Sequence, residues 1–163
     1  VARHDGSWTR MDKAFKRAEG LLENWMKEHH DKDCYPPTII NITDGEYNGT
    51  SYDEMQQLAN QLKSMFTNDG NVLLFNIHVV PEHAESVVFP ATADELNGNG
   101  YGKKLYEMSS LLPLNYNEQI RNIFGDKQAD IRYHAMGVNT GMERLVKMMK
   151  IGTLSRMLAN QNP

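Results

Sequence analysis

Apolar residues recur along much of the chain at three- and four-residue spacing, which is the period of an amphipathic helix. The strongest example begins at Met11 and continues to Met26. The same spacing predicts four further helices: one after Ser51, then Lys103–Leu112, Asn117–Phe124 and Asn139–Lys150.

Two other segments are almost continuously apolar instead. Thr38–Thr43 (TIINIT) is rich in β-branched residues, and Val72–Val80 (VLLFNIHVV) follows the second helix. Such runs are typical of strands covered on both faces, as in a parallel sheet. Ile131–Val138 is a weaker third candidate. Strand, helix and strand with short connections form a βαβ unit, so the pattern predicts an α/β fold.

The number of strands is too small for this architecture. A sheet of three strands that are buried on both faces leaves an apolar edge with unpaired backbone groups. We therefore expect further strands that are missing from this chain, or a partner that supplies them.

Composition narrows the functional class. The chain has 163 residues, which suits one domain, and its net charge of −4 with a pI near 5.9 argues against general binding of nucleic acid or anionic membranes. Its single cysteine, Cys34, permits no internal disulfide and favours a reducing compartment such as the cytoplasm. No apolar run approaches the length of a membrane span.

Asp44 is the strongest candidate for a ligand-binding residue. It follows the first predicted strand directly, in Thr43-Asp44-Gly45, and ligands of open α/β sheets collect at the carboxyl ends of strands. A carboxylate and a hydroxyl there suit Mg²⁺, which prefers oxygen ligands. The alternative is a plain turn in which Asp44 caps its own backbone.

Other candidate groups have simpler explanations. One cluster contains residue types that often bind soft metal ions: His29, His30, Asp31, Asp33 and Cys34. Their spacing matches no standard zinc site and fits a solvated helix end. The glycine-rich Asn97–Gly102 follows no strand and lacks a closing Lys-Ser or Lys-Thr, so it predicts a surface loop. His78 and His83 are possible catalytic bases, but a packed or hydrogen-bonded histidine is the usual explanation for His78, which lies inside a strand.

Several stretches together resemble the von Willebrand factor type A domain family, most closely its bacterial intracellular members. They are Gly6-Ser7-Trp8-Thr9-Arg10-Met11, Pro36 to Glu46 (PPTIINITDGE), Thr67 to His78 (TNDGNVLLFNIH) and Tyr106-Glu107-Met108-Ser109-Ser110. The resemblance runs from about Gly6 to Pro113 and is weaker beyond.

The resemblance implies a metal-ion-dependent adhesion site for Mg²⁺ or Mn²⁺. By motif match its threonine is Thr9 and its later aspartate is Asp44. The Asp-x-Ser-x-Ser element of the family is absent from this sequence, so we expect metal binding by this chain alone to be weak or undetectable. Arg10 stands where relatives often have proline, and its charge is expected to weaken metal binding or to engage an acidic partner.

The resemblance also implies a fold and explains the missing strands. The family sheet is Rossmann-like, doubly wound and mainly parallel, with flanking helices. Residues 1–163 are then one N-terminally truncated domain with its core at 6–150 and a tail at 151–163, holding the fourth, fifth and sixth strands. The Thr38–Thr43 edge is expected to be bare and to pair with another copy, an excised N-terminal half or a neighbouring chain.

Three functions follow in order of preference. The first is a non-enzymatic module that binds a partner protein through a carboxylate at the metal. The alternative is a Mg²⁺-dependent hydrolase or phosphotransferase that uses Asp44 with Glu46 or Asp53. The third is a structural fragment in which Asp44 is only a turn residue.

Overall fold

The structure is a computed structural model that describes residues 10–29, 32–44, 46–80, 85–97 and 100–153. In chain order its elements are α1 (Met11–His29), β1 (Thr38–Thr43), α2 (Tyr52–Ser64), β2 (Phe66–Thr67), β3 (Gly70–Asn71), β4 (Leu73–His78), β5 (Val87–Val88), α3 (Gly100–Met108), α4 (Asn117–Phe124), β6 (Met136–Val138) and α5 (Gly141–Gly152). Short 3₁₀ helices cover Ala93–Leu96 and Leu114–Tyr116.

The fold is mixed α/β, with a mostly parallel four-stranded sheet flanked by helices. The strand order is β1-β4-β6-β5, in which β1, β4 and β6 run parallel and β5 pairs antiparallel to β6. The βαβ unit predicted from the sequence is confirmed, because β1 and β4 are adjacent parallel strands joined through α2. The strands β2 and β3 form a separate small hairpin.

Alternate residues of the central strands belong to two different hydrophobic clusters. One cluster contains Leu74 of β4 with residues of α1, α2 and α3. The other contains Leu73, Phe75 and Ile77 with residues of α4 and α5. Because successive side chains of a strand point to opposite faces, the sheet has a helical layer and a core on each face.

An asparagine network lies inside the sheet. Asn41 of β1 is in register with Asn76 of β4, and its Nδ2 donates to Asn76 Oδ1 at 2.8 Å. Asn76 is fully buried, and its own Nδ2 donates to Ser109 Oγ at 2.9 Å and to the Leu105 carbonyl at 3.2 Å. The network therefore ties β1, β4 and the end of α3 together.

β1 is covered on both faces, as expected, but less completely than β4: Ile39 packs against one core cluster and Ile40 against the other. Its residues are only partly buried, and Ile42 is exposed, whereas every residue of β4 is buried. The reason is position in the sheet, since β1 is the outermost strand beside β4 among the described residues. The expected open edge at Thr38–Thr43 is present in this part of the chain.

The third predicted strand is shorter than expected. Only Met136–Val138 forms β6, because the preceding residues bond to loops: the His134 N–H donates to the Pro90 carbonyl, and the Ala135 N–H to the Ser110 carbonyl. The prediction of only three strands is also wrong, since the two-residue β5 adds a fourth.

The helix predicted at Lys103–Leu112 is shifted towards the N-terminus. It begins at Gly100, within the expected surface loop, and buries Gly102. It ends at Met108 because the backbone then turns to β4, where the Ser110 N–H donates to the Leu74 carbonyl and Ser110 Oγ accepts the Leu74 N–H. None of the described helices combines the length and apolarity that a bilayer span requires.

The end of α5 approaches the start of β1 closely. A Cβ built on Gly152 would lie 3.0 Å from the Phe75 ring and 3.1 Å from Thr38 Cγ2. The Thr38 hydroxyl donates to the Gly152 carbonyl across 114 residues of chain. Glycine at this position therefore permits direct contact between the last described helix and the first strand.

We expect Asn76→Ala to lower the free energy of unfolding by about 1–3 kcal/mol, because it leaves the Asn41 amide and Ser109 hydroxyl without their buried partner. Urea denaturation followed by circular dichroism measures the loss. Asn48→Ala, at an exposed position, is the control and should change stability by less than about 0.5 kcal/mol. An Asn76→Ala variant as stable as this control would contradict the role assigned to the network.

Candidate functional site

The carboxyl ends of the parallel strands form one edge of the sheet. There β1 ends at Thr43, β4 at His78 and β6 at Val138. Asp44 and Asn139 are the next residues after β1 and β6. The topology therefore brings Asp44, His78 and Asn139 to the same edge, which is where open α/β sheets bind ligands.

Asp44 combines a turn interaction with solvent exposure. Its Oδ1 accepts the N–H of Glu46 at 3.2 Å, and the residue is exposed. The turn that the sequence offered as the simpler explanation is therefore present. That bond uses one lone pair of one oxygen, so the carboxylate retains acceptor sites that face solvent.

His78 holds the backbone of Asp44 in place. The His78 side chain is buried, and its Nε2 lies 2.7 Å from the Asp44 carbonyl oxygen. A carbonyl oxygen only accepts hydrogen bonds, so Nε2 carries the proton in this contact. The prediction of a packed, hydrogen-bonded histidine is confirmed, and its partner is the candidate metal residue itself.

Asn139 links the third strand to the same edge. Its N–H donates to the His78 carbonyl at 3.0 Å, and its Oδ1 accepts the Val80 N–H at 2.9 Å. Its φ is 45°, a left-handed conformation that asparagine tolerates better than most residues. Asn139 was not among the predicted site residues, although an asparagine directly after a strand was the available signal.

The start of α1 packs against β1 and the loop after Asp44. Met11 Sδ lies 3.8 Å from Asn41 Nδ2, and a Cβ built on Gly49 would lie 3.0 Å from Arg10 Nε. Gly49 has a φ of 76°, which glycine adopts without strain. Thr9 lies outside the described residues, and its neighbours Arg10 and Met11 lie beside β1 and this loop.

Arg10 already has an acidic partner within the chain. Its Nε and Nη2 donate to the two carboxylate oxygens of Asp12 at 2.9 and 2.8 Å. This bidentate bond lowers the pKa of Asp12 to about 2. The guanidinium charge is therefore neutralised locally, which weakens both effects expected of Arg10 on a metal or on an acidic partner.

The remaining candidates that the structure describes do not assemble into a second site. His29 stacks on Trp25 with ring centroids 4.3 Å apart, and Cys34 Sγ donates to the Lys32 carbonyl at 3.2 Å. Over the ranges that the structure describes, no group of three His, Cys, Asp or Glu side chains is placed to hold a metal ion. His30, Asp31 and His83 lie outside those ranges.

Glu46 and Asp53 were the residues that the hydrolase alternative required. Glu46 is exposed and contributes its N–H to the Asp44 turn, and Asp53 lies in the first turn of α2. The described residues thus place one exposed carboxylate, Asp44, directly after a strand end, and they form no group of three acidic, histidine or cysteine side chains around it.

Comparisons of the chain with family models, with curated proteins and with solved structures find no match.

We expect His78→Leu to destabilise the protein by about 1 kcal/mol, since it keeps the approximate volume but removes the donor to the Asp44 carbonyl. Hydrogen exchange at the Glu46 amide should accelerate as the turn loosens. His78→Gln, which retains a side-chain N–H donor, should recover part of both effects. Equal losses in the two variants would show that the donor is unimportant.

We expect the pH dependence of stability to report the Arg10–Asp12 pair. Because the pKa of Asp12 is lower in the folded state than its ordinary value, the pair stabilises the fold above about pH 4. That contribution is lost as the pH falls from about 4 to about 2. Carboxyl NMR titration should give Asp12 a pKa near 2 that returns towards about 3.9 in Arg10→Gln; an unchanged value would exclude Arg10 as its cause.

Proposed function

We propose that this chain is a non-enzymatic protein-interaction module of the von Willebrand factor type A kind, carrying part of a metal-ion-dependent adhesion site. The observation that carries the proposal is the exposed Asp44 carboxylate at the carboxyl end of a parallel strand. Its backbone is fixed by the buried His78. A carboxylate held on a rigid strand end and open to solvent is suited to bind an ion or its water shell.

The strand order supports the finer fold assignment. Reading inwards from the edge, β1, β4 and β6 lie in chain order and run parallel. Such an arrangement fits the fourth, fifth and sixth strands of a Rossmann-like, doubly wound sheet. Helices on both faces fit it too. Among the described residues, no strand lies beside the outer edge of β1.

Asp44 and Thr9 are the proposed ligands, directly or through water, for Mg²⁺ or Mn²⁺. Magnesium prefers six oxygen ligands and dehydrates reluctantly. Two side chains leave most positions to water, so binding by this chain is weak. One water position is then available to a carboxylate of a partner protein, which is the proposed mode of recognition. The single cysteine agrees with a cytoplasmic setting.

We expect Mn²⁺ added to the ¹⁵N-labelled protein to broaden the amide signals of Thr43 and Glu46 first, because they flank Asp44. Paramagnetic broadening detects occupancy even when the affinity is only about millimolar. Asp44→Asn should abolish the effect at these amides. Excess Mg²⁺ should reverse it in the unaltered chain, since both ions take oxygen ligands.

Asp130→Asn is the matched control for this experiment. Asp130 is also an exposed aspartate, and it lies in the segment that enters β6 from its amino end. Its replacement should leave the broadening near Asp44 unchanged. Broadening that is centred elsewhere, or that survives Asp44→Asn, would refute the proposed metal site.

A further inference from the structure

One side of the molecule combines exposed apolar side chains from two helices with the open edge of a strand between them. We call it the β1 seam, and it consists of Ala14, Ala18 and Leu21 of α1, the outer edge of Thr38–Thr43, and Met142, Val146 and Met149 of α5. The large side chains are well exposed: Met142 75%, Leu21 57%, Ile42 56%, Val146 46% and Met149 43%. All of these residues are uncharged.

The flank of α1 faces this side because α1 is the outermost helix of its layer. It packs against α2, which packs against α3, and α3 contacts β6 and β4. Asp12 and Lys16 line the groove between α1 and α2. Successive residues of an α-helix are 100° apart around its axis, which places Leu21 on the flank opposite Asp12 and Lys16. Leu21 therefore points away from α2.

The strand in the middle presents free pairing groups. The Leu73 N–H donates to the Pro37 carbonyl, and the Val79 N–H to the Thr43 carbonyl. In a parallel ladder this pattern assigns alternate residues of β1 to β4. The N–H and C=O groups of Thr38, Ile40 and Ile42 therefore point outwards, and no described strand pairs with them.

The flank of α5 completes the seam on the other face. Arg144 reaches towards β5, where its Nη1 donates to Ser86 Oγ at 2.9 Å. Met142, Val146 and Met149 follow one another at four- and three-residue spacing on the opposite flank. The contact between Gly152 and Thr38 places the end of this helix over β1.

We propose that the β1 seam binds a second copy of this chain, with the two β1 strands antiparallel about a two-fold axis perpendicular to the sheet. This axis keeps each face on its own side, so α1 meets its counterpart, β1 meets β1 and α5 meets α5. The residues named for the seam carry no charge, and an open strand edge can pair with a copy of itself, so the seam is complementary to itself, as an isologous interface requires. The result is a continuous sheet of eight described strands.

Backbone geometry and size agree with this arrangement. Centring the pair on Ile40 brings Thr38 opposite Ile42 of the second copy and satisfies all the outward-pointing groups of these residues. The seam is roughly 20 Å long, from six residues at about 3.3 Å each, and roughly 30 Å high, from three layers of about 10 Å. The projected area of the seam is roughly 600 Å². The accessible surface of the same region is larger because side chains protrude from it, and so it approaches the 800 Å² or so that each partner buries in a standard interface.

Dimerisation through the seam does not use Asp44 or a metal ion, so its test is independent of the proposed function. Sedimentation velocity in EDTA at about 50 μM should show a dimer. Ile42→Lys and Val146→Lys should each weaken it at least about 30-fold, since each places a charge in the buried centre of the interface. Both positions are exposed in the single chain, so far-UV circular dichroism should not change.

Leu114→Lys is the matched control. Leu114 is 45% exposed and lies in the 3₁₀ helix just before α4, outside the β1 seam, so the variant should remain dimeric. A monomeric unaltered chain at this concentration would overturn the proposal. A dimer that survives both seam substitutions would overturn it too.

Hydrogen exchange provides a residue-level test on the unaltered chain. Raising the protein concentration should slow exchange at the Ile40 and Ile42 amides, which point outwards. The Asn41 amide, which points to β4, should exchange at the same rate throughout. Protection that is independent of concentration at all three amides would contradict pairing along this edge.

Discussion

The hydrogen bond between Asn41 and Asn76 is the interaction on which the placement of the candidate site depends. A strand has a two-residue side-chain period, so a slip of one residue would turn a whole set of side chains to the other face. The fully buried Asn76 makes any slip costly, since its amide would lose partners that water cannot replace. The register that the two asparagines fix pairs Thr43 with His78. The Asp44 carbonyl consequently lies within reach of the histidine ring.

The sequence was a good guide to the elements whose pattern is local. The period of α1 and of α2, the apolar runs of β1 and β4, and the bounds of α4 at Asn117 and Phe124 were all predictable from spacing alone. What it did not contain was the set of elements fixed by distant partners. Two residues suffice for β5 because β6 lies beside it. Ser110 ends α3 early because it bonds to Leu74, 36 residues away.

The candidate site was predictable to a similar extent. Asp44 could be identified because an acidic residue after a buried strand is a local signal. The partner of its carbonyl, His78, was recognised as hydrogen-bonded, but its acceptor depends on strand register, which sequence spacing does not supply. A clue was nonetheless present in the two strands, TIINIT and LLFNIH, which both carry Asn-Ile at the same distance from their ends. Arg10 was judged by its charge alone, whereas its effect depends on Asp12, two residues away.

The contact between Thr38 and Gly152 has a consequence for how the chain reaches its folded state. A ribosome adds about 5–20 residues per second, so roughly 5–25 seconds separate the synthesis of these two positions. During that interval TIINIT lacks the helix that covers one of its faces. A β-branched, uncharged segment of this kind is prone to pair with other extended chains while it waits. The nascent protein therefore carries an incompletely covered first described strand, open to aberrant pairing, until the last described helix has emerged.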